Sequence, residues 1–521
     1  MKYRMSLLLA VLGVGTAIAQ DTYEAAEIAS SDLSGTARYV GMGGALGALG
    51  GDISTMGTNP AGIALFRHNE AALSASGLFT NSAILGHDRQ RMSFDQAGIV
   101  FALSQENPSN RGLQYVNFGV NFSKNRNHLN ATNVTHVRGL NTGFFSQTWQ
   151  VADLTNTCAA NNYDFGLLPG IFAPTFDDKG QCHHNGILGY DDETQFFYGT
   201  PATDASYQSF EYGSADKCDF NASINISDRF FWGVSLGVYD NNYKRETLYG
   251  ELGADGNYYD ILNTYHSKAE GFDLKTGFIC RPFPNSPFRI GLTIHTPTWY
   301  DMDDVNGYDI IYNEGTTLNP GTPDEIYGYR LTDITEPFRY SYRTPWKFGV
   351  SLGHTFGHLL ALGADYEYTD PSTARYSDED WEQTAYTEYL NNKIKHQLRS
   401  QHTLRLGAEL KPTPELSLRL GYNHVTSPIK KNAYRYLDAY YDYYPTETAY
   451  TNWGPTERVT LGLGYRFKGG YFDVAYQFQR RKGDFYAFDI DYTDPEGYHT
   501  LPSTPITDKR NQIVATLGFK F

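Results

Sequence analysis

The chain has 521 residues, with 42 lysines and arginines against 58 aspartates and glutamates and a formal charge of -16. A mean hydropathy of -0.47 excludes a bundle of transmembrane helices, and the acidic balance argues against nucleic acid as a partner. Tyrosine and phenylalanine, 41 and 31 residues, lift the aromatic share to 15%, more than an ordinary soluble core uses.

Lys2 and Arg4 precede an apolar run over 7–18, and Ala17-Ile18-Ala19 supplies the small residues that a signal peptidase accepts. Residues 1–19 are therefore expected to be a cleaved export signal, with no cysteine nearby to anchor a lipid. Nothing after residue 20 approaches the ~18 consecutive apolar residues of a spanning helix. An exported chain of this kind enters a membrane only as β-structure.

Residues 20–68 show no alternation and are rich in small side chains, from Ser34-Gly35-Thr36-Ala37 through Gly41-Met42-Gly43-Gly44 to Asn59-Pro60-Ala61-Gly62. Gly41-Met42-Gly43 starts like a dinucleotide loop, but Leu46 stands where the third glycine belongs and no βαβ pattern surrounds it. So many small residues pack backbone closely in a confined space, which predicts a compact plug ahead of a barrel over 69–521.

From residue 69 onward the pattern has period two. Leu416, Leu418, Leu420 and Tyr422 alternate with Ser417, Arg419, Gly421 and Asn423; Ile513, Ala515, Leu517, Phe519 and Phe521 close the chain in the same way. One face is greasy and the other small or charged, the inverse of a soluble sandwich and the requirement of a lipid-embedded barrel. About fourteen such segments occur, separated alternately by short turns and by long connections over 80–93, 125–211, 246–267, 301–338, 370–398, 426–455 and 485–509. The reading is all-β: a transmembrane antiparallel barrel of about 14 strands with an N-terminal hatch in the lumen. The acidic stretch 301–338 is expected to be solvated outer surface, its Asp301-Met302-Asp303-Asp304-Val305 run departing from an EF-hand pattern. Cys158 and Cys182 share one connection and are candidates for a disulfide. Cys182-His183-His184 is the one feature that supports a haem-binding receptor; no metal site or cofactor is predicted. No Gly-x-Ser-x-Gly elbow is found, so an enzyme is not expected.

The stretch Gly35-Thr36-Ala37-Arg38-Tyr39-Val40-Gly41-Met42-Gly43-Gly44-Ala45, Gly51-Asp52, Asn59-Pro60-Ala61-Gly62, Tyr342-Arg343-Thr344-Pro345-Trp346-Lys347-Phe348 and Asp484-Phe485-Tyr486 resemble the FadL-type outer-membrane transporters of long-chain fatty acids and aromatic hydrocarbons, in the form seen in Bacteroidota. The resemblance implies passive uptake of a hydrophobic small molecule across the outer membrane of a Gram-negative bacterium, with sideways exit into the membrane beside a kinked third strand. It places Asn59, Pro60, Ala61 and Gly62 near hatch and gate, with Asn117 and Gly119 on the lumenal side of that strand. Tyr440, Tyr441, Tyr443, Tyr444 and Trp453 are expected to capture ligand from an outer loop. Arg405 and Arg419 are the inward cations expected to meet a ligand carboxylate, ion ladders within the lumen being their other use. The partners expected are the ligand, outer-membrane lipid and lipopolysaccharide, around a monomer. A structural or adhesive surface protein is the remaining alternative.

Overall fold

A computed structural model describes residues 21–80, 90–104, 112–140, 145–162, 172, 175–176, 182–183, 187–313, 328–334, 337–435, 447–489, 491–494 and 497–521. Fourteen strands span the wall: β1 Glu70–Thr80, β2 Gln90–Ser104, β3 Leu113–Asn127, β4 Ala202–Ile226, β5 Phe230–Gly253, β6 Tyr258–Cys280, β7 Arg289–His295, β8 Lys347–Phe356, β9 Leu360–Thr369, β10 Gln401–Leu410, β11 Leu416–Val425, β12 Tyr450–Phe467, β13 Gly470–Tyr486 and β14 Thr504–Lys520. Each pairs antiparallel with its sequence neighbours in that set, and β14 returns to β1 from Glu70↔Lys520 to Thr80↔Arg510. Closure leaves no edge, the condition for a sheet in lipid.

Burial explains why these residues make a membrane wall. On β11, Leu418 and Leu420 are exposed while Ser417, Arg419 and Asn423 are buried. On β5 the outward positions Phe230, Trp232, Leu236 and Val238 are likewise exposed, and Phe231 and Ser235 are buried. Large apolar side chains facing outward around the whole wall require hydrocarbon outside. Among the described residues no helix is long and apolar enough to cross a membrane, so the strands do the crossing.

Two expectations are corrected here. The connections over 246–267 and 301–338 are largely strand, and the end of 125–211 is strand too: β4 already begins at Ala202, and β5 and β6 meet across residues 254–257. Beyond β7 the chain breaks at 296–298, containing Pro297, and resumes as Trp299–Asn313, paired with β6; Phe338–Arg343 likewise runs into β8 across Pro345. Proline cannot donate to the ladder, and Thr298 and Thr344 bridge the break, each backbone N–H donating to the other residue's oxygen at 2.7 and 3.0 Å. Secondly, Asp304 is not solvated. It is fully buried and accepts hydrogen bonds from Tyr265 and Tyr340 at 2.8 and 2.7 Å. Above the lipid the outer face meets water, so the greasy half of the alternation disappears while the strand continues.

Helix α3, Gln147–Asn161, packs Val151 and Leu154 with Phe172, Phe197, Tyr207 and Phe485 over one side of the mouth; helix α4, Ala385–Gln397, packs Leu390 and Ile394 against Tyr376 and Ala25 on the other. On the outer surface Asp216, Asp240, Glu270 and Asp301 stand in register on four adjacent strands. The next row below them is apolar: Phe122, Cys218, Val238, Phe272 and Trp299.

Candidate functional site: the occluded lumen

The N-terminal segment lies inside the barrel and runs from its outer mouth to the start of β1. Its first element is helix α1, Thr22–Ile28, capped by Asp21, whose carboxylate accepts from the backbone N–H of Tyr23 and Glu24 at 2.7 and 2.8 Å. Tyr342 and Tyr376 on the wall donate to the carbonyls of Ala25 and Asp21 at 2.7 and 3.0 Å. The carboxylates of this segment meet arginines of three wall strands and of the connection between β11 and β12. Arg435 lies 2.6 Å from Asp21, Arg245 lies 3.0 Å from Glu24 and 2.8 Å from Glu447, Arg126 pairs with Glu27, and Arg458 lies 3.5 Å from Asp32. Burial alone would raise the Asp21 carboxyl, but Arg435 and its hydrogen bonds bring it down to about 2. Glu24 is pushed well above the usual carboxylate range by burial and by the charge of Asp21. Ionised pairs taken out of water persist only where hydrogen bonds and counter-charges surround them, so α1 is held by a network.

Two cavities flank this segment. One of about 130 Å³ lies under residues 28–35 and is lined by Tyr239, Lys275, His295, Lys347, Glu367 and Arg405 among others. The second, about 190 Å³, lies beside α1 against Tyr23, Tyr243, Arg245, Arg435 and Trp453. Both present tyrosine rings and cations, and both are lined by carboxylates as well, Asp32, Asp273 and Glu367 in the first and Glu24, Glu27, Asp32, Glu211 and Glu447 in the second, surfaces suited to an amphipathic guest.

Below, helix α2, Ala37–Gly41, and two 3-10 turns, Ile53–Gly57 and Pro60–Leu65, fill the remaining section. Asn59 caps the second turn, with Pro60 at the first helical position, where a missing N–H costs nothing. Its Oδ1 accepts from Ala61 N at 3.1 Å and its Nδ2 donates to Gly47 O at 2.7 Å. Wall glycines give it room: a Cβ at Gly277 would stand 2.0 Å from Asn59 Oδ1, and one at Gly233 would stand 2.5 Å from Pro60 O. Asn117 donates to the carbonyls of Ile63 and Phe66 at 2.7 and 2.9 Å, and a Cβ at Gly119 would lie 2.2 Å from Met56 Cε. The structure thus brings Asn59, Pro60, Ala61, Gly62, Asn117 and Gly119 to one contact between plug and wall. Strand β3 is hydrogen-bonded on both sides through its middle, with register shifts against β4 at Leu113/Tyr115 and Lys124/Arg126.

The two lumenal arginines divide. Arg419 is buried in a ladder, 2.7 Å from Glu409 and 2.9 Å from Asp473, which Arg38 joins at 3.0 Å from Glu409. Arg405 pairs with Glu367 at 3.1 Å and borders the 130 Å³ cavity. Trp453 belongs to β12 rather than to a loop, and Arg481 lies over its ring at 4.0 Å. Tyr440, Tyr441, Tyr443 and Tyr444 fall outside the described residues, as do His184 and the side chains of Cys182 and His183; Cys158 is buried on α3. The sequence reading missed the acids of α1 and the packing of Met56 on Gly119. Glu24 and Glu27, three residues apart on a short capped helix, were the available signal.

Taken together, the wall and its contents define a fourteen-stranded outer-membrane barrel occluded by its own N-terminal segment. Among solved structures it is similar to a FadL homologue of Pseudomonas aeruginosa, with 14% identity over 94% of this chain and 99% of that one and a TM-score of 0.49. Similar too are the toluene transporters TodX of Pseudomonas putida and TbuX of Ralstonia pickettii, both 13% identical over 94% of this chain and 99% of those chains, with TM-scores of 0.46 and 0.45. No protein-family model matches the chain, and no curated protein matches it.

Proposed function

We propose that the protein is a passive outer-membrane uptake channel for hydrophobic small molecules, including those with an acidic head such as long-chain fatty acids. The observation that carries this reading is the upper lumen around α1. Its tyrosine faces suit an apolar body, its arginines suit a carboxylate, and α1 occupies that space with carboxylates of its own. The FadL-like motifs of the sequence imply the same cargo. Of the two arginines, Arg405 is the one that meets cargo, because it borders a cavity while Arg419 is enclosed by two acids. Residues 20–68 act as the hatch, and sideways exit beside β3 requires its hydrogen bonds to part near the shifts at Leu113/Tyr115 and Lys124/Arg126. The channel works as a monomer and performs no catalysis.

Cells that carry the protein should take up labelled oleate or toluene faster than cells that lack it, and equal rates would overturn the reading. Mass spectrometry of material co-purifying in mild detergent identifies the cargo class.

A further inference from the structure

Three arginines stand in one row at the rim where β1 begins. β5 and β6 pair Phe230 with Cys280, and β6 and β7 pair Cys280 with Ile290. One step further toward that rim Arg229, Arg281 and Arg289 therefore lie side by side, and Arg281 N donates to Arg229 O at 2.8 Å. Alternation turns the row to the lumenal side: Phe231 and Ile279, two positions along from Arg229 and Arg281, are buried against Ala61 and Ala64 of the hatch, while Phe230 is exposed. Arg289 itself donates from Nη1 to Leu49 O of the hatch at 2.6 Å. Like charges directly opposite on neighbouring strands are destabilising, and a chain with a net charge of -16 has acids enough to avoid the arrangement.

No carboxylate answers the row. Higher in the lumen Arg126, Arg245, Arg405, Arg419 and Arg458 each lie against an acid. Among the described residues Arg229, Arg281 and Arg289 pair with none. Asp228, next to Arg229 in the turn, is taken by Arg67 at 3.0 Å and accepts from Asn225 at 2.7 Å. The charged neighbours of Arg289 are Arg281, Arg67 and Arg38, cations all, and Arg38 is held by Glu409. The donors are under-used as well. Arg281 reaches only the carbonyls of Asp228 and Ser286, at 3.3 and 3.5 Å, and the Nε–H groups of Arg281 and Arg289 are buried without a partner, a state that buried polar groups seldom keep. The floor of the hatch is open here: Gly51, whose carbonyl accepts from Arg38 at 2.7 Å, is exposed, with nothing within 4 Å of where a Cβ would stand.

We propose that this row is a binding site for a doubly charged tetrahedral oxyanion, inorganic phosphate or the phosphomonoester head of a lipid, held between the forks of Arg281 and Arg289. Guanidinium groups take phosphate oxygens two at a time, and a dianion balances more of a triple positive charge than a carboxylate does. The site does not depend on what the channel carries, so a failure of oleate uptake leaves it standing. Full-length protein in mild detergent, dialysed against labelled phosphate with sodium chloride holding the ionic strength constant, should bind a single phosphate per barrel. Arg281→Gln combined with Arg289→Gln should weaken that binding by about tenfold or more, whereas Lys468→Gln, which removes an exposed cation in the turn between β12 and β13, should leave it unchanged. No binding, binding unchanged in the double variant, or an equal loss in Lys468→Gln overturns the proposal. Heat-modifiable migration on gels confirms folding of each variant. Unfolding temperature separates the sources, because a ligand of the folded state raises it. A rise in nanodiscs containing phosphatidate over those containing phosphatidylglycerol, whose phosphodiester carries one charge, assigns the lipid; a rise with inorganic phosphate alone assigns the soluble ion, and no rise with either overturns the proposal. Arg281→Gln adds a readout that a merely structural arginine would not give: it should unfold at or above the parent's temperature in chloride, where it removes a repulsion, and below it in phosphate. The same order in both buffers overturns the proposal.

Discussion

Asn59 does three things at once: it caps a 3-10 turn, ties that turn to Gly47, and fits against wall glycines that would exclude it if they carried side chains. Asn59→Ala should cost about 1–2 kcal/mol, read as a lower unfolding temperature in detergent and faster proteolysis between residues 47 and 66. Gly277→Ala should loosen the same turn by displacing Asn59, and the double variant should fall short of the sum, since both changes break one contact. Asp304 predicts a pH dependence. Burial raises its carboxyl to about 6 in spite of hydrogen bonds from Tyr340 and Tyr265. The folded state then holds the proton more tightly than the unfolded chain, so stability is greatest below about pH 4 and falls as pH rises through about 6, by about 3 kcal/mol. Asp304→Asn should flatten that slope in thermal unfolding measured from pH 4 to 8. The Asn-Pro-Ala-Gly motif was legible because a cap followed by proline is a local signal. The burial of Asp304 was not, because its partners Tyr265 and Tyr340 lie 39 and 36 residues away.

At the level of elements, α1 is seven residues long, too short to persist alone, and its position rests on arginines of the wall and of the connection between β11 and β12. Arg435→Ala leaves the part-exposed Asp21 without its cation and the buried Glu24 with Arg245 alone, a change that costs less than the about 3–5 kcal/mol of breaking a fully buried pair. The expected outcome is release of α1 with the barrel intact: hydrogen exchange should rise over residues 21–33 and stay unchanged on β11 and β12. Sequence could not have supplied this pairing, since residues 21 and 435 are 414 apart. The strands tell a related story. Where lipid lies outside, alternation announced nearly every one, as in Leu416 to Asn423. Above the lipid, β5 ends in Glu246-Thr247-Leu248-Tyr249-Gly250-Glu251, mixed on both faces, and that part of the strand looks like a loop.

For the whole molecule, the arginines of the upper lumen have their counter-charge largely on a segment that is not part of the wall. Deleting residues 21–32 removes Asp21, Glu24, Glu27 and Asp32 while leaving Arg126, Arg245, Arg435 and Arg458 in place. In planar bilayers the truncated barrel should conduct more than the parent and favour anions; cation preference would contradict the assignment. The acidic row Asp216, Asp240, Glu270 and Asp301, set directly above Phe122, Cys218, Val238, Phe272 and Trp299, marks where hydrocarbon stops on this side. From Asp240 to the end of β5 at Gly253 the strand runs on for roughly 45 Å along its length. On this side the wall therefore stands well clear of the hydrocarbon, and under the function proposed above a cargo molecule is met beyond the headgroups rather than among them.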